Sequence, residues 1–132
     1  MAGTLYLDAS ALLKLVIEEP ESWVLAERLR DTRVASSHLS RVEVRRAVVR
    51  AGLGPGAFAL TARILAPVHL HHLDVDILDR ASEIGPPALR TLDAIHLASA
   101  LAIGRELDAV VTYDRRLAMA AEDAGLRDES PA

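Results

Sequence analysis

The stretch TLYLDASALLKLV, residues 4–16, joins two hydrophobic patterns at a single acid. Thr4 to Leu7 make a short apolar run of strand length, and the run stops at Asp8. Beyond it Leu12, Leu13, Leu15 and Val16 recur at helical spacing, with Ser10 placed to cap the helix. A strand therefore feeds directly into a helix. If the pattern repeats, the fold is α/β, with parallel strands and helices between them.

The rest of the chain repeats it. After EEPES, where Pro20 marks a boundary, Trp23, Leu25, Ala26 and Leu29 trace a second helix, and RVASS at 33–37 reads as a second strand. SRVE at 40–43 has the form of a capping box, Ser40 as cap and Glu43 three positions on, so a third helix begins at Ser40. GLGPG is a turn, residues 57–65 are helical, VHLHHLD at 68–74 is a third strand, and DILDRASEI at 76–84 is a helix closed by GPP. Thr91 caps the next helix, AVVT at 109–112 is a fourth strand, and Asp114 caps the last helix, which carries Leu117, Ala120 and Ala121. The expected architecture is a central, mostly parallel sheet of four or five strands with helices on both faces. A fifth strand is short or missing, because the tail GLRDESPA is polar.

Composition narrows the class. A chain of 132 residues suits one domain, 1–132, with a real core, and its 51% apolar content is mostly aliphatic. The chain has no cysteine, which removes disulfide and thiolate-metal frameworks and fits a cytoplasmic location. The first apolar segment is broken by Asp8 and Lys14 and lacks a basic leader, so neither a signal peptide nor a membrane span is expected. The net charge of −4 argues against a generally basic nucleic-acid coat and leaves room only for a local basic rim. Lys14 is the one lysine among fifteen Lys and Arg residues. Such an arginine bias suits bidentate phosphate binding, although a skewed genomic base composition explains it more simply.

Four acids fall in comparable places: Asp8 after the first strand, Glu43 and Asp93 in the first turns of helices, and Asp114 after the fourth strand. Each has an ordinary account as a turn, cap or helix-dipole residue. Asp93 shares its stripe in RTLDAIHLASAL with His96, Leu97 and Ala100, although taken alone a first-turn position in a helix capped by Thr91 accounts for it more simply. Taken together, the four sit where a parallel α/β sheet binds ligands, at the carboxyl ends of its strands. Carboxylates brought together there repel one another unless a cation neutralises them. An all-oxygen set without cysteine suits Mg²⁺ or Mn²⁺, and the matching chemistry is hydrolysis of a phosphodiester by an activated water.

In four blocks, YLDASALLKL, SHLSRVEVRRA, LRTLDAIHLASAL and VVTYDRRLAMAAEDAGL, the chain resembles the PIN-domain ribonucleases, and among them the VapC toxins of bacterial toxin–antitoxin pairs. The resemblance spans nearly the whole chain. It implies that Asp8, Glu43, Asp93 and Asp114 carry a metal site supported by the hydroxyls of Ser10 and Thr112. It also implies an Mg²⁺- or Mn²⁺-dependent endoribonuclease leaving a 5′-phosphate and a 3′-hydroxyl, a homodimer, and inhibition by a cognate VapB-type antitoxin.

Other signals are weaker. Arg45, Arg46, Arg90, Arg115 and Arg116 stand beside the acidic blocks as candidates for gripping the RNA backbone, and ordinary solvated helix faces account for them as well. His69 and His71 alternate on one strand face with His72 opposite, a spacing compatible with a transition metal that by itself leaves their role open. His96 either orients Asp93 or is a satisfied, half-buried histidine, the second being simpler. The stripes of the first two helices, with Trp23, read as core or as a subunit interface. Two other classes remain open: a catalytically silent RNA- or partner-binding PIN-like module, and a haloacid-type phosphatase or receiver domain. The second class needs a lysine near the phosphate, and Lys14 is poorly placed for it.

Overall fold

A computed structural model describes residues 3–132. Among them the elements run β1 (Thr4–Leu7), α1 (Ala9–Val16), α2 (Ser22–Leu29), β2 (Arg33–Ser37), α3 (Leu39–Arg50), α4 (Pro55–Leu65), β3 (His69–His71), α5 (Val75–Glu83), α6 (Thr91–Ile103), β4 (Leu107–Val111), α7 (Arg115–Asp123) and β5 (Asp128–Glu129). The sheet order is β3-β2-β1-β4-β5, and every neighbouring pair is parallel. β1 is central and buried along its length, which is why its sequence is an unbroken apolar run.

Side chains alternate across the sheet and build a core on each face. Leu5 and Leu7 pack with Ala109 and Val111 of β4 against Leu12, Leu25, Val44 and Leu65. Tyr6 and Val110 point the other way, onto Leu97 and Ala100 of α6 and Leu117, Ala120 and Ala121 of α7. Small residues on α6 and α7 let both helices approach closely.

The strand and helix pattern holds, and the helix starts shift. Asp8, not Ser10, caps α1: its Oδ1 accepts from the Ala11 amide at 3.1 Å. The capping box at Ser40 does not form. α3 begins one residue earlier, at Leu39, whose amide donates to Ser37 Oγ at 3.0 Å, while the Ser40 hydroxyl lies inside the helix against Ser36 Oγ at 2.7 Å. Thr91 is likewise the first residue of α6 rather than its cap, the cap position being Arg90 without a side-chain bond. α4 starts inside the predicted turn, because Pro55 suits the first helical position. β3 covers only His69–His71, and Asp74 caps α5 by accepting from the Ile77 amide at 2.9 Å. Trp23 is not core, being 73% exposed on α2.

The fifth strand exists as a two-residue pairing of Asp128 and Glu129 with Val110 and Val111. A bidentate ion pair from Arg28, at 2.8 and 3.1 Å, ties Glu129 back to α2 and holds its carboxyl below the ordinary range. That pair secures a polar strand which has little apolar surface to bury.

Leu97 is fully enclosed between α6 and the sheet. Leu97→Ala is expected to cost about 2–5 kcal/mol through lost burial and the cavity left behind. Urea unfolding checks this as a lowered midpoint at an unchanged slope, and a loss under about 1 kcal/mol would contradict the packing described.

Candidate active site

The register of β1 with β4 pairs Leu7 with Val111, so the residues just beyond them, Asp8 and Thr112, meet at the carboxyl edge. Asp8 is 5% exposed, and its carboxylate is held by three donors. Ser10 Oγ donates to Oδ1 at 2.7 Å, the Ala11 amide donates to the same oxygen, and Thr112 Oγ1 donates to Oδ2 at 2.8 Å. The two hydroxyls also accept in turn: Ser10 from the Tyr113 amide at 2.9 Å and Thr112 from the Asp114 amide at 3.0 Å. The loop from β4 into α7 is thereby fastened to Asp8. Burial raises the Asp8 pKa, against the opposing pull of Ser10, of His96 and of the other donors.

The same loop sets Asp114 as the cap of α7, where Oδ1 accepts from the Arg116 amide at 2.9 Å. Asp93 lies in the first turn of α6 and is half-buried, and among the described residues no donor meets its carboxylate. Its pKa is raised, first by burial and then by the negative charge of Asp114, with His96 opposing and Asp8 and Glu43 adding smaller contributions. The four acids therefore share one field.

Glu43 enters from α3. Its Oε1 meets His96 Nε2 at 2.6 Å, and His96 Nδ1 meets the Tyr6 hydroxyl at 2.7 Å. His96 is thus a satisfied histidine, fully rather than half buried, and it pairs with Glu43 rather than orienting Asp93. Tyr6 joins the site unannounced, as an apparently plain strand residue on the far side of β1 from Leu5 and Leu7. Its one sequence signal is a phenol in the middle of an otherwise aliphatic strand, since a buried hydroxyl needs a partner.

Among the described residues, no three His, Cys, Asp or Glu side chains are gathered tightly enough to enclose a metal ion. His69 and His71 instead meet edge to face, and His72 stacks on His38, each pair at 4.5 Å between ring centroids. The four carboxylates still offer a suitable donor set for a hard cation. A carboxylate has about four lone-pair positions, so Asp8, Glu43 and Asp114 all retain capacity beyond the bonds they make, and Asp93 has all of its own. A small divalent ion that keeps most of its waters needs only one or two carboxylates.

Arg46, Arg90, Arg115 and Arg116 are exposed and Arg45 half-exposed, and among the described residues none of them makes an ion pair. Lys14 is committed elsewhere, to Glu19 and Glu21 at 3.3 and 3.2 Å, with its ammonium over the Tyr113 ring.

The PIN domain profile matches residues 5–123. The chain belongs to the PIN-domain family. Within that family it is a VapC-type member. It is 42% identical to ribonuclease VapC47 of Mycobacterium tuberculosis, covering 96% of both chains, and 42% identical to ribonuclease VapC46 of the same organism, covering 98% of both. The PIN fold recurs in the crystal structure of M. tuberculosis VapC20, a sarcin–ricin loop cleaving toxin, with a TM-score of 0.74 at 17% identity over 96% of this chain and 99% of that one. It recurs also in VapBC2 of Rickettsia felis bound to a DNA fragment from its promoter, with a TM-score of 0.75 at 13% identity over 98% and 99%.

The raised pKa of Asp93 carries a stability consequence for the metal-free PIN domain. A carboxyl that holds its proton more tightly folded than unfolded adds nothing below the ordinary aspartate range and destabilises progressively as pH rises through its folded pKa. Asp93→Asn is therefore expected to melt above wild type in EDTA near neutral pH, with the gap closing on acidification. Thermal melts across pH test this. A variant melting below wild type at neutral pH would mark Asp93 as a structural helix-start residue.

Proposed function

We propose that this VapC-type PIN domain is an Mg²⁺- or Mn²⁺-dependent endoribonuclease, the toxin of a VapBC pair. The observation that carries the reading is the half-buried Asp93 carboxylate, with no donor of its own, in the shared field of Asp8, Glu43 and Asp114. Such an arrangement is electrostatically incomplete without positive charge. Asp8, Glu43, Asp93 and Asp114 are the residues that would hold the cation. Once bound, a divalent ion supplies charge to the phosphate oxygens and acidifies the attacking water.

The chain's own groups do the positioning. Ser10 and Thr112 fix the Asp8 carboxylate and, through their amide bonds, the start of α7. Arg90, Arg115 and Arg116 on the adjoining helix starts suit the flanking phosphates, with Arg45 and Arg46 further along α3. Hydrolysis at the phosphodiester would leave a 5′-phosphate and a 3′-hydroxyl.

The binding-only alternative gains no support, because all four acids are retained in one charge-coupled set. A haloacid-type phosphatase or a receiver is disfavoured because Lys14, the lysine either would need beside the phosphate, is held in ion pairs with Glu19 and Glu21.

The relatives' VapBC context supports a cognate VapB-type antitoxin as partner, one of whose basic side chains would suit the acidic edge. A homodimer is part of the same proposal. No helix among the described residues is long and apolar enough to cross a membrane.

Cleavage of single-stranded or looped RNA is expected in Mg²⁺ or Mn²⁺ and to be abolished by excess EDTA, with Asp8→Asn reducing it by at least about 100-fold. Undiminished cleavage in chelator would sink the metal mechanism. For the arginines, Arg115→Ala and Arg116→Ala should weaken RNA binding about equally across sequences. Each lost phosphate contact should also reduce the slope of log K against log salt by about 0.7 for a single strand. An unchanged slope would return these residues to the solvated surface.

A further inference from the structure

Asp8 and Asp114 are placed by the ends of two neighbouring strands, and Asp93 by the first turn of its helix. Glu43 has neither support: its helix packs on the sheet, and its carboxylate stands on a flexible side chain. What holds it is a chain of two bonds, the first buried and the second part-buried, that starts inside the opposite face of the core. The Tyr6 hydroxyl lies 2.7 Å from His96 Nδ1, and His96 Nε2 lies 2.6 Å from Glu43 Oε1. Tyr6 is fully buried and His96 is 3% exposed, with the two rings edge to face at 5.9 Å between centroids.

We propose that Tyr6 and His96 form a positioning relay for Glu43, in which the Tyr6 hydroxyl donates to Nδ1, the Nε2 hydrogen donates to Glu43 Oε1, and Oε2 is left facing the cation and RNA. The direction of each bond follows from donor chemistry. An ionised carboxylate has no hydrogen to give, so the short contact requires the hydrogen to be on Nε2. On the neutral ring Nδ1 is then the acceptor, and the phenol is the donor it meets. The phenol keeps its proton, since burial pushes its pKa far above the ordinary value for tyrosine. Both outer groups thus choose one tautomer and one ring orientation, and a packed core fixes the phenol that starts the chain. Oε2 of Glu43 has no partner among the described residues. Outer-shell groups of this kind commonly set metal affinity without touching the ion.

This inference rests on reading Glu43 as one of the cation-holding acids, and two readouts separate it from a merely structural role. Long-range ¹H–¹⁵N NMR of the metal-free protein is expected to find the His96 hydrogen on Nε2. A hydrogen on Nδ1, whether in the other neutral tautomer or in the imidazolium, would overturn the relay. Titration of Mn²⁺ without RNA is the second readout. Tyr6→Phe, which keeps the ring and removes only the hydroxyl, and His96→Leu are expected to weaken Mn²⁺ binding about tenfold or more. His96→Gln, which restores a donor towards Glu43, should recover part of that loss. Urea midpoints establish that each variant is folded at the titration temperature, and Tyr6→Phe serves if His96→Leu is not. Wild-type affinity in folded Tyr6→Phe and His96→Leu overturns the relay alone. Absence of Mn²⁺ uptake by wild type overturns the metal reading and the relay with it.

Discussion

The buried carboxylate of Asp8 is the constraint around which the carboxyl edge of the sheet is organised. It ends the central strand, caps the first helix and takes hydroxyl donors from Ser10 and Thr112. Those hydroxyls in turn hold the amides of Tyr113 and Asp114, so one acid determines how the β4–α7 loop leaves the sheet. A buried charge is tolerable only when it is paired or well hydrogen-bonded, and three donors supply that condition here. The same interlock that keeps Asp8 in place therefore sets where Asp114 stands.

Charge at this edge is concentrated rather than dispersed. The protein carries a net charge of only −4, yet four acids share one field while arginines on the neighbouring helix starts remain outside ion pairs among the described residues. A fold selected for stability alone would neutralise the acids with those arginines. The edge is thereby negative at its centre, with arginines beside it that make no ion pair among the described residues, a charge pattern typical of functional sites. The VapC relatives fit this arrangement, because they place the chemistry on RNA.

The two faces of the sheet contribute differently. The face formed by Leu5, Leu7, Ala109 and Val111 packs against aliphatic side chains of α1, α2, α3 and α4. The other face carries Tyr6, whose ring is core and whose hydroxyl reaches His96 and through it Glu43. Polar contacts that begin in the interior are rigid because close packing leaves the ring few alternatives. The tail is secured by another device, the Arg28 pair with Glu129, which lets a polar segment complete the sheet.

Sequence by itself determined the alternation of strands and helices, the parallel sheet and the four acids, because each depends on patterns within a few residues or on the position of an acid at the end of a strand. It misplaced the helix starts at Ser10, Ser40 and Thr91. Serine and threonine are favoured caps locally, but here Ser10 is drawn to Asp8 and Tyr113, and Ser40 to Ser36. It also left the partner of His96 open. The Glu43 bond spans 53 positions and the Tyr6 bond 90, and no local rule reaches so far. Only the tertiary structure decided them, because the register of β1 between β2 and β4 and the packing of α6 on that sheet choose which polar groups meet once water is excluded.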